Sequence, residues 1–234
     1  MAGSDRGNDD RSRGPLSSAK GWLTRTVRVI TGSSVDVADY DPSEHDPLVS
    51  FDGLAGMDEV ERYWVNAPFA FVSINHDPEE NEHRYHVVEP TLDELERDLL
   101  ERLFEDIRTP LLYREDVEDD PETALAEELE ARLEEYGVVV DVESFYRLFY
   151  YLYRQFRGYG KIDPLMHDPA IEDVSCDGIG LPIFVYHEGY TDIGTNVSFE
   201  KRELHNFVIQ LAQRSGRHVS VSDPVVSTTL PDGS

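Results

Sequence analysis

Hydrophobic positions become regular only from about Met57 onward. Residues 1–56 are rich in Gly, Ser, Asp and Pro and read as a disordered acidic and polar tail. Within it, Gly21-Trp22-Leu23-Thr24-Arg25-Thr26-Val27-Arg28-Val29-Ile30 is both basic and apolar. Such a segment suits contact with a membrane surface or a partner, or a short helix or strand on a tail. Tyr63-Trp64-Val65-Asn66 then leads into Ala70-Phe71-Val72-Ser73-Ile74, a strand by its apolar, β-branched content. Residues 75–83 form a polar turn region, and Tyr85-His86-Val87-Val88-Glu89 reads as the returning strand of a hairpin.

The period then changes from two to 3.6. Leu92, Leu95, Leu99, Leu103, Ile107 and Leu111 recur at helical spacing. Thr91 and Glu94 have the spacing of a capping box, and Pro110 is expected to end or bend the helix. A second helix starts at Asp120-Pro121, with proline at the first helical position, and runs through Leu125, Leu129 and Leu133 to a stop at Gly137. A third covers residues 145–156, capped by Ser144 or Asp141. Its aromatics lie on more than one face, which predicts burial on several sides or packing against a neighbouring domain or subunit.

After Gly160 the elements shorten. Residues 171–176, 182–187 and 190–193 read as strands separated by Asp177-Gly178 and Glu188-Gly189 turns. A helix follows around 200–214, capped by Ser198 or Asn196, with Leu204, Phe207, Val208 and Leu211 inward and Gly216 as terminator. His218–Ser222 and Pro224–Ser227 read as further strand. Helices followed by a strand-rich section predict an α+β fold. Three parts result: the tail 1–56, a helical subdomain with a β-hairpin at 57–157, and a small PAS-like α+β domain at 158–234.

Charge changes the picture. The 234 residues carry 48 acids against 21 lysines and arginines, a formal net charge of −27. Only Lys20, Lys161 and Lys201 are lysines. Acid-rich, lysine-poor composition suits solubility in very high salt, where the Debye length falls to about 3 Å and self-repulsion is screened. An acidic protein of an ordinary cytosol is the other reading. Residues 91–136 alone hold 18 acids and 5 arginines, which reads as a solvated helical face. This balance argues against non-specific nucleic-acid binding. The single cysteine, Cys176, cannot form an internal disulfide and is read as a buried strand residue in a cytosolic chain. No apolar run approaches the length of a membrane span.

Little catalytic chemistry is legible. The only Gly-Lys pair, Gly160-Lys161, lacks the glycine five positions earlier (Gln155) and the following Ser/Thr (Ile162), so no phosphate-binding loop is present. His83-x-x-His86 has no third ligand, and no metal site is expected. Arg214 and Arg217 flank Ser215-Gly216 at the end of a helix. A fixed arginine pair in an acidic chain suits a phosphate or other anion; compensation of the helix dipole by Arg214 is the alternative.

Residues 161–166 (KIDPLM), Asp168-Pro169, 171–178 (IEDVSCDG), 182–187 (PIFVYH), Gly194-Thr195-Asn196, 211–217 (LAQRSGR) and 230–234 (LPDGS) together resemble archaeal type II/type IV secretion ATPases. These are GspE-like motors of pilus and archaellum assembly, and only their N-terminal part is matched. The resemblance is ordered over 146–234. Residues 63–113 resemble haloarchaeal members less distinctively.

The resemblance implies a hexameric motor whose N-terminal domain packs over a RecA-like P-loop domain, using ATP and magnesium. Its partners would be that domain, neighbouring subunits and a membrane platform protein, at the cytoplasmic face of the membrane and without nucleic acid. Arg214 and Arg217 would match the N-domain arginines that reach the nucleotide in such motors. The RecA-like domain is absent from this sequence, so no catalytic residue, cofactor or ATP hydrolysis is expected of the chain alone. Ending after the turn signal Pro231-Asp232-Gly233, the sequence reads as a piece cut within a larger protein. A stand-alone acidic module docking on a membrane platform is the second hypothesis. An open reading frame continuing into a phosphate-binding loop would separate the two.

Overall fold

The computed structural model describes residues 47–113 and 119–217. They fall into two compact units that meet in sequence at Pro169 and Ala170. The architecture is α+β in kind, as the periodicities predict.

In the first unit, β1 (Asp58–Asn66), β2 (Ala70–Asp77) and β3 (Glu82–Val88) form an antiparallel meander. The expected hairpin is therefore three-stranded. Asp58, Glu59, Glu61 and Arg62 hide β1 from an alternation count, and bulges between Glu59 and Glu61 and between Trp64 and Asn66 break its period. Central β2 is almost wholly buried: Ala70, Val72, Ile74, Ser73 and Asn75 are all fully inaccessible. Packing also begins earlier than the expected tail boundary at residue 56. Leu48 and Val49 are buried, and the Phe51 ring stacks on His86 at 5.1 Å and meets Phe71 edge-on at 6.2 Å.

Three helices follow: α1 (Glu94–Leu112), α2 (Pro121–Tyr136) and α3 (Val142–Phe156). The cap of α1 is Asp93 rather than Thr91. Its carboxylate accepts from the Glu96 amide at 2.7 Å, and Glu96 Oε2 accepts from the Asp93 amide at 2.8 Å. Pro110 lies within the last turn, where the helix persists to Leu112. α2 begins and ends as its sequence dictates, on the Asp120 cap with Pro121 behind it and on Gly137 at φ +65°. Asp141 caps α3. Leu99, Leu103 and Ile107 of α1, Leu125, Leu129 and Leu133 of α2, and Phe145, Leu148, Phe149 and Leu152 of α3 are all buried. Burying each such side chain contributes roughly 1.5–3 kcal/mol. Leu95 does not join them and is exposed.

A 3-10 turn (Gly160–Ile162) and the one-turn α4 (Asp163–Met166) still belong to this unit. The compact units thus divide at 169/170, after the 157/158 position read from the sequence, because Asp163 and Asp168 tie this segment to α3, β1 and β3.

The second unit is an antiparallel meander of β4 (Ile171–Ser175), β5 (Pro182–His187) and β6 (Thr191–Ser198), followed by α5 (Lys201–Arg214). β6 runs five residues past the expected Ile193, and the cap of α5 is Glu200, not Ser198 or Asn196. On α5, Phe207 stacks on Phe199 at 4.9 Å and Ala212 is buried, whereas Val208 is exposed and leaves the predicted inner face. Cys176 is exposed rather than buried, since it lies just past the end of β4. The strands expected at 218–222 and 224–227, and residues 230–234, lie outside the described residues.

Candidate functional site

A buried polar cluster lies in the first unit, where the segment between α3 and Pro169 meets the meander. Tyr63 of β1 and Tyr85 of β3 both donate their phenol hydrogens to Asp168 Oδ2, at 2.6 and 2.7 Å. Asp168 is 4% exposed and Tyr85 fully buried. Burial, reinforced by the Asp168 carboxylate, pushes both phenols well above the ordinary tyrosine range. They therefore stay protonated and act as donors, not as bases or nucleophiles.

A second cluster joins the end of β3 to α3. Glu89 accepts from Tyr150 at 2.5 Å and from Arg154. The Arg154 guanidinium lies over the Tyr151 ring at 4.5 Å, and Tyr151 donates to the Pro90 carbonyl at 2.6 Å. Burial alone would lower the Arg154 pKa, but the Glu89 carboxylate and the two tyrosines outweigh it and the group is held charged. Asp163 completes the joint. Its carboxylate accepts from the Tyr159 amide at 2.8 Å, and His167 Nδ1 lies 2.8 Å from its carbonyl. Burial raises the Asp163 pKa against the opposing pull of His167.

This arrangement ties β1, β3, α3 and the segment that follows α3 to one another. Among the described residues no group of three or more His, Cys, Asp or Glu is placed to hold a metal. His83 and His86 point to opposite faces of β3: His83 opposes His76, and His86 opposes Ser73. Nor is any described helix long and apolar enough to cross a membrane.

Arg214 and Arg217 are placed at the C-terminal end of α5. Arg214 occupies the last turn and is half-buried; Arg217 lies just beyond, exposed, with its amide bonded to the Ala212 carbonyl at 2.8 Å. Gly216, at φ +69°, fixes the backbone between them. A helix C-terminus is the negative end of the dipole, so any anion bound here would be held by the guanidiniums against that field.

Residues 17–91 match the family described as PilB3-like, N-terminal. The uncharacterized protein MJ1288 of Methanocaldococcus jannaschii is 36% identical over 172 residues, covering 70% of this chain and 67% of that protein. The chain belongs to the MJ1288 family. Its PilB3-like region relates it to the N-terminal parts of pilus-assembly and secretion ATPases. Two further relatives from the same organism match shorter stretches: MJ0900 at 36% identity over 89 residues and MJ0781 at 27% over 75. The chain spans only 16% and 10% of those two proteins. The PilB3-like match spans β1, β2 and β3 and reaches back into residues 17–46, whereas the motifs quoted from the sequence lie mostly after residue 146.

Sequence reasoning missed Tyr63, Tyr85, Glu89 and Arg154 as a group. Their bonds join residues 61 to 105 positions apart. The signal within reach was the pair Asp163 and Asp168, two acids on either side of the apolar Pro164-Leu165-Met166.

Proposed function

We propose that the MJ1288-family chain is the regulatory and assembly portion of a hexameric ATP-driven motor for type II/type IV-like secretion or for pilus or archaellum assembly. The observation that carries this reading is the PilB3-like match over residues 17–91. In this role the chain couples nucleotide state in a RecA-like domain to a membrane platform protein, at the cytoplasmic face of the membrane. Neighbouring motor subunits are its other partners, ATP and magnesium belong to the assembled motor, and the chain alone does not hydrolyse ATP. Arg214 and Arg217, held by the Gly216 turn, are the candidates for reaching nucleotide phosphates.

The test is reconstitution with the family's P-loop domain. The chain alone should show background turnover, and the mixture should assemble as a hexamer and hydrolyse ATP. Arg214→Ala and Arg217→Ala should each raise the KM for ATP by about tenfold, the loss of one charge-assisted contact, and Arg217→Ala, at an exposed position, should leave the thermal midpoint unchanged. Absence of association, or turnover by the chain alone, would sink the reading.

One observation favours a second reading, a stand-alone acidic module docking on a membrane platform. In MJ1288 the matched part makes up 67% of the whole protein. Binding to the platform protein without any P-loop domain, and no effect on motor turnover, would select it.

A further inference from the structure

An antiparallel sheet that faces water on one side carries polar side chains there. In the second unit, β5 departs from that rule. Ile183, Val185 and His187 are buried on one face, while Phe184 and Tyr186 stand on the other at 36% and 47% exposure. Just before the strand, Ile179 and Leu181 are exposed at 55% and 50%. Large apolar side chains exposed together, rather than singly, mark an interaction surface.

The strand register fixes what surrounds them. Phe184 is directly opposite Gly194 of β6, and its ring lies across that glycine, where a Cβ would sit 3.4 Å from Phe184 Cε1. Tyr186 is directly opposite Asp173 of β4 on one side and Asp192 of β6 on the other. Residues directly opposite share a face, so the Tyr186 ring stands between two exposed acids. Residues 171–199 hold five acids and no lysine or arginine.

Charge selects the occupant. A second copy brings the same net charge of −27, and nucleic acid or an anionic bilayer is repelled by the same carboxylates. A cation that is also flat and weakly hydrated fits best. The arginine guanidinium stacks on an aromatic ring and offers N–H groups along both edges, whereas the lysine ammonium is a compact, strongly hydrated point charge.

We propose that this face of β5 docks a segment of a partner protein in which an arginine stands beside apolar side chains. The guanidinium stacks on Tyr186 between Asp173 and Asp192, and the apolar neighbours rest on Phe184 and Leu181. Exposed ion pairs are individually weak, so stacking and apolar contact supply the affinity and the two carboxylates supply the selection. This chemistry does not depend on membership of a motor.

The test is NMR titration of the whole ¹⁵N-labelled chain, in about 0.1 M salt, with the peptide acetyl-Gly-Leu-Arg-Leu-Gly-amide. Amides at Asp173, Phe184, Tyr186 and Asp192 should shift and saturate. Citrulline, the neutral isostere, in place of the arginine should weaken binding about tenfold, and lysine about threefold. Tyr186→Ala and the pair Asp173→Asn/Asp192→Asn should each weaken it about fivefold, whereas Tyr186→Phe, which keeps the ring, should not. Glu101→Gln/Glu105→Gln removes as much charge from α1 and should leave the affinity unchanged. Phe199 and Ala212 amides should keep their positions in every variant, which shows that the second unit is folded. No saturable shift at about 10 mM peptide overturns the proposal. So does equal affinity for the lysine or citrulline peptide, or an equal loss in the Glu101/Glu105 variant. Shifts of the same amides on dilution of the chain alone assign the face to a second copy and likewise overturn it. Their broadening by phosphatidylserine vesicles does the same in favour of a bilayer.

Discussion

Glu96 of α1 takes the Arg147 guanidinium of α3 on one carboxylate oxygen, at 2.8 and 2.6 Å, while its other oxygen caps its own helix. The Glu96 side chain is 3% exposed and that of Arg147 19%. One carboxylate thus closes a helix start and fastens that helix to the next. Removing one partner of a buried pair leaves an uncompensated charge, at a cost of roughly 3–5 kcal/mol. Arg147→Ala should therefore destabilise the chain by about that amount in urea unfolding. Glu96→Ala should cost more, by about 1 kcal/mol for the lost cap. A loss under 1 kcal/mol in both would contradict this reading.

The two phenols on Asp168 allow a cleaner dissection. Tyr63→Phe and Tyr85→Phe each remove one donor and keep the ring. Each should cost about 1–3 kcal/mol, because a hydrogen bond to a buried charged group is lost. Both donors serve one oxygen, so the double variant should deviate from additivity. Additive losses in a double-mutant cycle would mean that the two bonds are independent.

Gly158 is a position where a single methyl group decides packing. A Cβ there would lie 2.1 Å from Asp163 Oδ1 and 2.9 Å from the Arg154 carbonyl. Gly158→Ala must displace the Asp163 carboxylate, and we expect a loss of over 3 kcal/mol or failure to fold. Gly137→Ala meets no atom within 4 Å but keeps φ +65°, so it should cost only about 1–2 kcal/mol. Comparable thermal midpoints for the two variants would show that the Asp163 contact yields easily.

Glu130 on α2 gives the chain a pH-dependent element. Burial, with the Glu127 carboxylate adding to it, pushes the Glu130 carboxyl from 4.5 up to about 7. Below 4.5 both folded and unfolded chains hold the proton. Between 4.5 and 7 the folded chain holds more protons than the unfolded, so stability falls as pH rises, and above 7 the loss is complete. Glu130→Gln should therefore match the parent near pH 4 and exceed its stability at pH 8. A variant that gains nothing at pH 8 would show that the carboxylate is solvated in the folded chain.

Local signals in the sequence were enough for α2, whose cap, N1 proline and αL glycine all lie within or beside the helix. The strands β2 and β5 were legible for the same reason, as short apolar runs between polar turns. β1 was not, because its side chains are mostly solvent-facing and two bulges interrupt its alternation. Thr91 and Asp93 are both good caps, and only the fold selects the one whose glutamate partner also reaches Arg147. Arg214 and Arg217 could be named from type and spacing, and their placement beside Gly216 follows from the same local pattern. The Asp168 node needed contacts over 83 and 105 positions, which no periodicity encodes.

Asp168 stands two residues before Ala170, where the second compact unit begins. Tension carried along the backbone from that unit reaches Asp168 before any other residue of the first unit except Pro169. From there it passes through two short hydrogen bonds into β1 and β3 together. A pull arriving at Asp168 would be shared between two strands of one sheet, in the manner of a yoke, and on the β3 side it would act directly on a core residue, Tyr85.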